Sequence, residues 1–199
     1  MSSPPRPEGL RERKKAKTRR MIQDHALRLF AEQGYEATTV EQIAEAAEIS
    51  PSTFFRYFPT KEDVVVQDDY DPLLMYMLAA QPADLAPVPA LRATLRGAFE
   101  QIPQEEELQI LARTRLQLSH TALRARAVDN MMTTIDMLAE GVARRLGREA
   151  TDPLSRTAAG AVVGAMIAAL FAWAEANGTR RLADAVDEAL GLLEAGLHP

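Results

Sequence analysis

Residues 38–63, which have the sequence TTVEQIAEAAEISPSTFFRYFPTKED, decide the fold of this 199-residue chain. The stretch predicts two short helices joined by a tight turn. Thr39 and Gln42 have the spacing of a capping box at the start of the first helix. Ser50 is a good cap for the second helix, and Pro51 is tolerated after it because the first helical turn does not need its N–H group. The sequence therefore defines where both helices begin.

Two helices joined by a turn of three or four residues form the helix-turn-helix pattern, in which the second helix enters the major groove of DNA. Ser52 and Thr53 place hydroxyl groups in the first turn of the second helix, where such helices meet base edges. Phe54, Phe55 and Phe58 provide more apolar area than so short a helix needs, so we expect at least two of them to anchor it to its neighbours. The alternative is a plain helical hairpin packed in a core.

Charge is unevenly distributed along the chain. The whole chain has a net charge of −5, but residues 1–62 contain 11 Lys and Arg against 9 Asp and Glu. The stretch from Arg11 to Arg20 is strongly basic and contains one acid, Glu12. Such a cluster can neutralise DNA phosphates, although a solvated basic tail has the same composition.

The run from about Arg19 to Asp63 resembles the DNA-binding domain of the TetR family of transcriptional regulators. The matching pieces are Ile22 to Phe30 followed by EQGYEATTV, then IAEAAEIS, then STFFRYFPTKED. These pieces match in order over about a quarter of the chain. Two positions depart from the family pattern, because the family commonly has glycine in the turn at Glu48 and a small residue such as glycine near Ser52. A left-handed conformation at Glu48 would cost about 1 kcal/mol.

The resemblance implies a ligand-responsive transcriptional regulator, more specifically a repressor, that binds a palindromic operator as a homodimer and is released by a small-molecule effector. One alternative is a DNA-binding regulator without a ligand, and another is a small all-α enzyme. The chain has no cysteine, and its imidazoles are His25, His120 and His198, with no pair at ligand spacing. We therefore expect no metal, no cofactor and no enzymatic activity. The first ten residues lack an apolar stretch, so we expect a cytoplasmic, nucleoid-associated protein.

The chain is predicted to be all-α, with about nine helices and an N-terminal three-helix DNA-binding domain. We expect a disordered basic arm at 1–16, the helix-turn-helix domain at 17–62 and a ligand-binding and dimerisation domain at 63–199. The first helix is expected to start near Arg11 or Lys17 and to end at Gln33. A helix from Lys61 to about Leu78 is expected to kink or break near Pro72. The later helices are predicted at roughly 89–102, 104–119, 121–147, 153–177 and 179–197.

Contacts with DNA are assigned from helix position and, where the motif aligns, from the family resemblance. Arg56 has the reach and the donors to contact a guanine edge. The residues expected to face bases or phosphates in the first turn of the second helix are Ser50, Pro51, Ser52 and Thr53. The residues expected to contact phosphates are Lys17, Arg20, Thr38, Thr39, Tyr57 and Lys61.

The stretch from Leu154 to Ala174 is long and apolar enough to span a membrane, but it is rich in alanine rather than leucine. A helix that is apolar on nearly all sides must be buried on nearly all sides, which indicates a subunit interface. Gly160 and Gly164 would let a partner backbone approach closely. The last helix, with Leu190 and Leu193 on one stripe, would complete a four-helix interface, as the resemblance also implies.

The resemblance further implies a small-molecule pocket in the middle helices. The chain offers flexible methionine and aromatic side chains there, and arginines that suit an anionic headgroup, although ordinary core packing explains each apolar residue as well. The candidate pocket residues are Met75, Phe99, Arg113, Leu116, Met132, Phe171 and Trp173. The DDYDPLL stretch beginning at Asp68 is similar to a TetR subgroup, including the mycofactocin-type regulator, proposed to sense acyl-CoA-like ligands.

Overall fold

The computed structural model describes residues 10–68 and 70–198. Within these ranges the chain forms ten α-helices and no strand, so the predicted all-α class is confirmed. The helices are α1 (Leu10–Gln33), α2 (Val40–Ala46), α3 (Pro51–Tyr57), α4 (Asp63–Val66), α5 (Asp71–Ala80), α6 (Pro87–Glu100), α7 (Gln104–Ser119), α8 (Thr121–Leu146), α9 (Pro153–Glu175) and α10 (Leu182–Glu194).

The chain divides into two compact units, with the boundary between Gln67 and Asp68. The first unit contains α1 to α4, and the second contains α5 to α10. The first unit extends past residue 62, where we expected the DNA-binding domain to end, because α4 packs against α1. Residues 10–16 were expected to be disordered, but they form the first turns of α1. Residues 1–9 of the expected arm lie outside the described residues.

The first unit is held together by an apolar core that every one of its helices enters. On α1, Ile22, Ala26 and Phe30 recur at helical spacing and are buried. The rings of Phe54 and Phe58 are fully buried, with centroids 5.8 Å apart. The expectation that at least two phenylalanines anchor the second short helix is therefore confirmed.

The segment after α3 departs from the prediction of one helix from Lys61 to about Leu78. It forms two helices, α4 and α5, because the backbone at Gln67 is extended and ends the first of them. Pro72 lies in the first turn of α5, where its missing N–H group costs nothing, so it starts a helix instead of kinking one. This division accounts for ten helices in the described residues where about nine were expected.

The second unit is built around α9, which packs against α6, α7, α8 and α10. Buried residues on α9 include Ala159, Val162 and Val163, all with at most 1% of their surface exposed. The helices α5 and α8 approach closely at Gly141, where an added Cβ would lie 2.7 Å from Leu78 Cδ2. Small residues therefore let the six helices enclose a continuous core.

Arginine side chains join helices of the second unit. Arg92 on α6 donates to both carboxylate oxygens of Asp187 on α10, at 2.8 and 3.0 Å. This hydrogen-bonded contact lowers the pKa of Asp187 below its ordinary value. Arg145 on α8 donates to the carbonyl oxygens of Leu78 and Gln81, at 3.2 and 2.9 Å, and so caps the C-terminus of α5.

Of the described helices, α9 alone is long and apolar enough to cross a membrane by length and composition. Part of its surface is nevertheless buried in the core of its own unit, including Trp173 and Ala174. Its other face is open, because an added Cβ at Gly160 or at Gly164 would meet no atom within 4 Å. This arrangement is typical of a core helix that has one face left for another contact.

Candidate nucleic-acid interface

The start of α2 is organised by the predicted capping box. Thr39 Oγ1 accepts a hydrogen bond from the Gln42 N–H at 3.3 Å, and Gln42 Oε1 accepts one from the Thr39 N–H at 2.9 Å. Gln33, the last residue of α1, donates to Gln42 Oε1 at 3.0 Å. The N-terminus of α2 is therefore attached to the C-terminus of α1, with the Thr39 side chain exposed at the surface.

The turn between α2 and α3 contains the residue that departs from the family pattern. Glu48 has φ of 53°, which is the left-handed conformation considered from the sequence. The Ile49 N–H donates to the Ala44 carbonyl at 2.9 Å, and the Glu48 N–H donates to the Glu45 carbonyl at 3.0 Å. These two bonds form a Schellman motif, which satisfies the last carbonyls of α2 and directs the chain into α3.

A cluster of three hydroxyl groups occupies the first turn of α3. Ser50 Oγ accepts from the Thr53 N–H at 3.1 Å, so Ser50 caps the helix as predicted. The same oxygen lies 2.9 Å from Ser52 Oγ and 3.0 Å from Thr53 Oγ1. Because hydroxyl groups both donate and accept, this cluster can contact base edges or phosphates in several hydrogen-bonding patterns.

Helix α3 has one buried face and one exposed face. Phe54 and Phe58 lie on the buried face, whereas Ser52, Phe55 and Arg56 are exposed. The Arg56 guanidinium lies 5.5 Å from the centroid of the Tyr57 ring, which is half-buried. The exposed face therefore presents a hydroxyl group, an aromatic ring and a guanidinium group side by side.

Two residues predicted to contact phosphates are instead used inside the first unit. Thr38 has 1% of its surface exposed, and its hydroxyl donates to the Gly34 carbonyl at 2.8 Å, so its assignment as a phosphate contact is wrong. Lys61 is half-buried, and its Nζ donates to the carbonyls of Tyr35 and Thr38, at 3.0 and 3.1 Å. Lys61 therefore holds the loop between α1 and α2, and its Nζ also lies 4.1 Å from the centroid of the Tyr35 ring.

Arg19 was expected only as part of the basic stretch from Arg11 to Arg20, but it holds the C-terminal end of α3. Its guanidinium donates to the Tyr57 carbonyl at 2.9 Å and to Gln67 Oε1 at 2.6 Å. It also lies 4.3 Å from the centroid of the Phe58 ring. The available signal was its spacing, because Arg19 precedes Ile22 by three residues and lies on the same face of α1.

A buried tyrosine joins the loop after α1 to the start of α4. The Tyr35 hydroxyl donates to Glu62 Oε1 at 2.9 Å. Burial alone would raise the pKa of Glu62, but hydrogen bonds from its own N–H, from Tyr35 and from Thr60 lower that pKa below its ordinary value. Glu62 is therefore held as a carboxylate, and it offsets part of the positive charge of Lys61.

Several basic residues of α1 lie on its exposed surface. Lys14, Lys15 and Lys17 in the early turns are exposed, and so is Arg20. The second unit is acidic and accounts for the negative net charge of the whole chain. The first unit can therefore present positive charge toward a polyanion.

The candidate pocket residues of the second unit do not share one environment. Met75 and Phe99 are partly buried and pack against the core, whereas Met132 is 47% exposed and is not an interior residue. Trp173 belongs to the core, and its Nε1 donates to the Arg180 carbonyl at 2.8 Å. The remaining candidates, Arg113, Leu116 and Phe171, are half-buried.

Arg113 lies in a polar group at the beginning of the second unit. The Tyr70 hydroxyl donates to the Glu106 carboxylate on α7. Burial and the nearby Glu106 raise the pKa of Tyr70, and the positive charge of Arg113 opposes that rise. Arg113 and Glu106 are seven residues apart and so lie on the same face of α7.

The predicted interface residues also divide into two groups. Gly164 is exposed, whereas Gly160 and Leu193 are half-buried, and Leu193 packs partly against the core. Leu190 is 0% exposed, because it belongs to the core of its own unit, so its assignment to a subunit interface is wrong. On α10 the exposed apolar residue is Leu192, at 49%.

Two family models match this chain. Residues 22–67 match the model described as bacterial regulatory proteins of the tetR family, and residues 85–198 match the MftR C-terminal domain. The chain belongs to the TetR family of transcriptional regulators. Its members are regulators and not enzymes, and the segment over α2 and α3 is the helix-turn-helix of their DNA-binding domain.

Relatives of known sequence agree with this membership. The chain is 30% identical over 187 residues, 93% of each chain, to MftR of Mycobacterium tuberculosis, which is named as a putative mycofactocin biosynthesis transcriptional regulator. It is 42% identical over 106 residues to the transcriptional regulator TcmR of Streptomyces glaucescens. That match covers 52% of this chain, which spans about half (47%) of the length of TcmR.

Solved structures show the same fold. The TetR-family repressor FadR of Thermus thermophilus, in complex with lauroyl-CoA, is 28% identical, with a TM-score of 0.55 over 91% of this chain and 95% of FadR. FadR of Bacillus subtilis, in complex with stearoyl-CoA, is 19% identical, with a TM-score of 0.62 over 90% and 99% of the two chains. The second likeness concerns the fold alone.

Replacement of Glu48 by glycine should stabilise the first unit. Glycine adopts the left-handed conformation without strain, so we expect Glu48→Gly to raise the free energy of unfolding by about 0.5–1 kcal/mol. Urea denaturation measures the change, and hydrogen exchange of the α2 and α3 amides reports the first unit separately. The matched control is Glu45→Gly, inside α2, which should lower stability by about 1 kcal/mol. A loss of stability in Glu48→Gly as large as in the control would contradict the inference that Glu48 is strained by its left-handed conformation.

Proposed function

We propose that this protein is a transcriptional repressor that binds a palindromic operator as a homodimer and leaves it when an acyl-CoA-like effector binds the second unit. The observation that carries the proposal is the exposed face of α3, which presents hydroxyl and guanidinium donors in a chain of the TetR family. Such a regulator acts on chromosomal DNA, so we place it in the cytoplasm at the nucleoid.

Base contacts are proposed for the exposed face of α3. Arg56 is exposed and carries the paired donors that fit the O6 and N7 acceptors of guanine. Ser52 and Thr53, with the capping residue Ser50, supply hydroxyl groups in the turn that enters the groove first. Pro51 is exposed beside them and shapes the approach of the backbone.

Phosphate contacts are proposed for the residues around this face. Thr39 is exposed at the N-terminus of α2, and its hydroxyl is a candidate phosphate donor. Lys17 and Arg20 on α1 and the half-buried Tyr57 supply further donors. Lys61 is a further candidate, although its Nζ already donates to two carbonyls.

Substitution of Arg56 and of Lys17 should separate base recognition from phosphate attraction. Arg56→Ala should relax the preference at one base position in each half-site, at a cost of about 1–3 kcal/mol on the preferred sequence. Lys17→Ala should weaken binding to all sequences alike and lower the slope of log K against log salt by about 1 for each subunit of the bound dimer. Selection from a random DNA pool, followed by titration at several salt concentrations, measures both effects. Equal effects of the two variants on selected and random DNA would contradict the assignment.

Dimerisation is proposed through the outer faces of α9 and α10. The stripe of small residues that includes Gly160 and Gly164 is open, and on the adjacent helix Leu192 is exposed and Leu193 is half-buried. A two-fold dimer would carry two copies of α3, and so would match a palindrome with half-sites about 34–36 Å apart.

Analytical ultracentrifugation at micromolar concentration should therefore show a dimer, and Gly164→Glu should weaken it at least tenfold. A Cβ added at Gly164 meets no atom of another part of its own subunit within 4 Å, so the variant should remain folded. Leu108→Glu is the matched control, because Leu108 is 63% exposed on α7 and should tolerate the charge. A monomeric wild type would contradict the proposal, and so would a Gly164→Glu variant that dimerises as strongly as the control.

The effector is proposed from the relatives together with the apolar side chains of the second unit. FadR of Thermus thermophilus binds lauroyl-CoA, and it is similar to this chain over most of its length. Here the flexible side chain of Met75 lies beside Gly141, and that of Met77 lies beside Gly97. A Cβ added at either glycine would lie 3.0 or 2.8 Å, respectively, from the terminal methyl carbon of the methionine. Such side chains can move to admit an acyl chain, and Arg113 on α7 carries a positive charge that suits an anionic headgroup.

A thermal-shift series with acyl-CoA esters of eight to eighteen carbons tests this part. We expect long-chain esters to raise the Tm by several degrees and to release the selected DNA, because a ligand that binds the native state stabilises it. Free coenzyme A is the control and should leave the Tm unchanged. The absence of a shift across the whole panel would favour the alternative, a DNA-binding regulator without a ligand.

A further inference from the structure

Phe55 is the one phenylalanine of α3 that the core of the first unit does not use. Its side chain is 49% exposed, whereas Phe54 on the same seven-residue helix and Phe58, the residue that follows the helix, are 0% exposed. The two buried rings already provide the contact of α3 with its neighbours. The exposed area of Phe55 is therefore not explained by folding of this unit.

The position of the ring is restricted although half of it is exposed. The Phe55 ring packs edge-on against the buried ring of Phe54, with centroids 5.5 Å apart and an interplanar angle of 89°. Such a contact favours one orientation of the exposed ring. Phe55 therefore presents an apolar surface with a preferred orientation.

The neighbours of Phe55 place this surface within the proposed DNA interface. Ser52 precedes it by three residues, Arg56 follows it directly, and both are exposed. The exposed face of α3 thus alternates between polar groups that can pair with base edges and one apolar ring. A phenyl ring has no donor or acceptor, so it cannot contribute a conventional hydrogen bond to a phosphate or a base edge.

We propose that Phe55 reads the C5-methyl group of a thymine in each half-site of the operator. In the major groove that methyl group is the apolar feature of a base pair, and apolar side chains contact it directly. The inference rests on the proposed DNA-binding function and assigns a specificity-determining residue within it. In a symmetric dimer the two rings would select thymine at two positions related by the two-fold axis.

Replacement of thymine by deoxyuridine tests the inference, because it removes the methyl group and leaves every hydrogen-bonding group of the base pair in place. Wild-type protein is first used to select sites from a random DNA pool, and symmetric thymines in those sites are then replaced one pair at a time. At one pair we expect roughly 4-fold weaker binding per methyl group, which is the effect of burying one such group.

The variants identify Phe55 as the side chain that reads the methyl group. Phe55→Ala should bind the thymine and deoxyuridine sites equally at that pair. Phe55→Leu retains an apolar side chain and should keep part of the discrimination. Ser52→Ala is the matched control on the same helix face, and it should keep the full thymine preference even if its total affinity falls.

The outcomes distinguish this inference from the function on which it rests. Equal binding of wild type to thymine and deoxyuridine at every symmetric pair would overturn the inference and leave DNA binding intact. Full discrimination retained by Phe55→Ala would also overturn it, provided that circular dichroism shows unchanged helix content. If the random pool yields no enriched sequence, the proposed function fails and the inference fails with it.

Discussion

A seven-residue helix such as α3 does not form by itself in water, because nucleation costs more than its few hydrogen bonds return. Its existence here depends on the burial of Phe54 and Phe58, together with Arg19, which donates to the Tyr57 carbonyl at its C-terminus. Because one face of α3 packs against the core of the first unit, the opposite face is exposed to solvent. The exposed Arg56 and its neighbours follow from that constraint, and so does the proposed contact with DNA.

The turn before α3 shows how a departure from a family pattern is accommodated. Glu48 adopts the left-handed conformation that glycine would take without cost, and the hydrogen bond from Ile49 to Ala44 is formed all the same. The strain is about 1 kcal/mol, which is small beside the burial of two phenylalanine rings. The backbone path into α3 is therefore determined by packing, and the identity of the turn residue changes only the stability.

In the second unit, packing likewise decides which face of α9 is buried, because this helix has two apolar faces. One face, which includes Val162 and Val163, is buried in the core, and the other is lined by small residues such as Gly160 and Gly164. A uniformly apolar sequence cannot indicate which side faces inward. That ambiguity explains the error at Leu190 on the adjacent helix, which has the spacing of an interface residue but is buried within its own unit.

The sequence by itself determined the all-α class, the caps at Thr39 and Ser50 and the family, because these depend on local hydrogen bonds and on the spacing of residues along one helix. Only the tertiary structure decided how polar and aromatic side chains are used. Thr38 donates to a carbonyl inside the unit, Lys61 holds a loop, and Phe55 is exposed where Phe54 is buried. The physical reason is that burial and exposure depend on groups brought together from distant parts of the chain, as Lys61 Nζ and the Tyr35 carbonyl are, and local spacing does not specify these contacts.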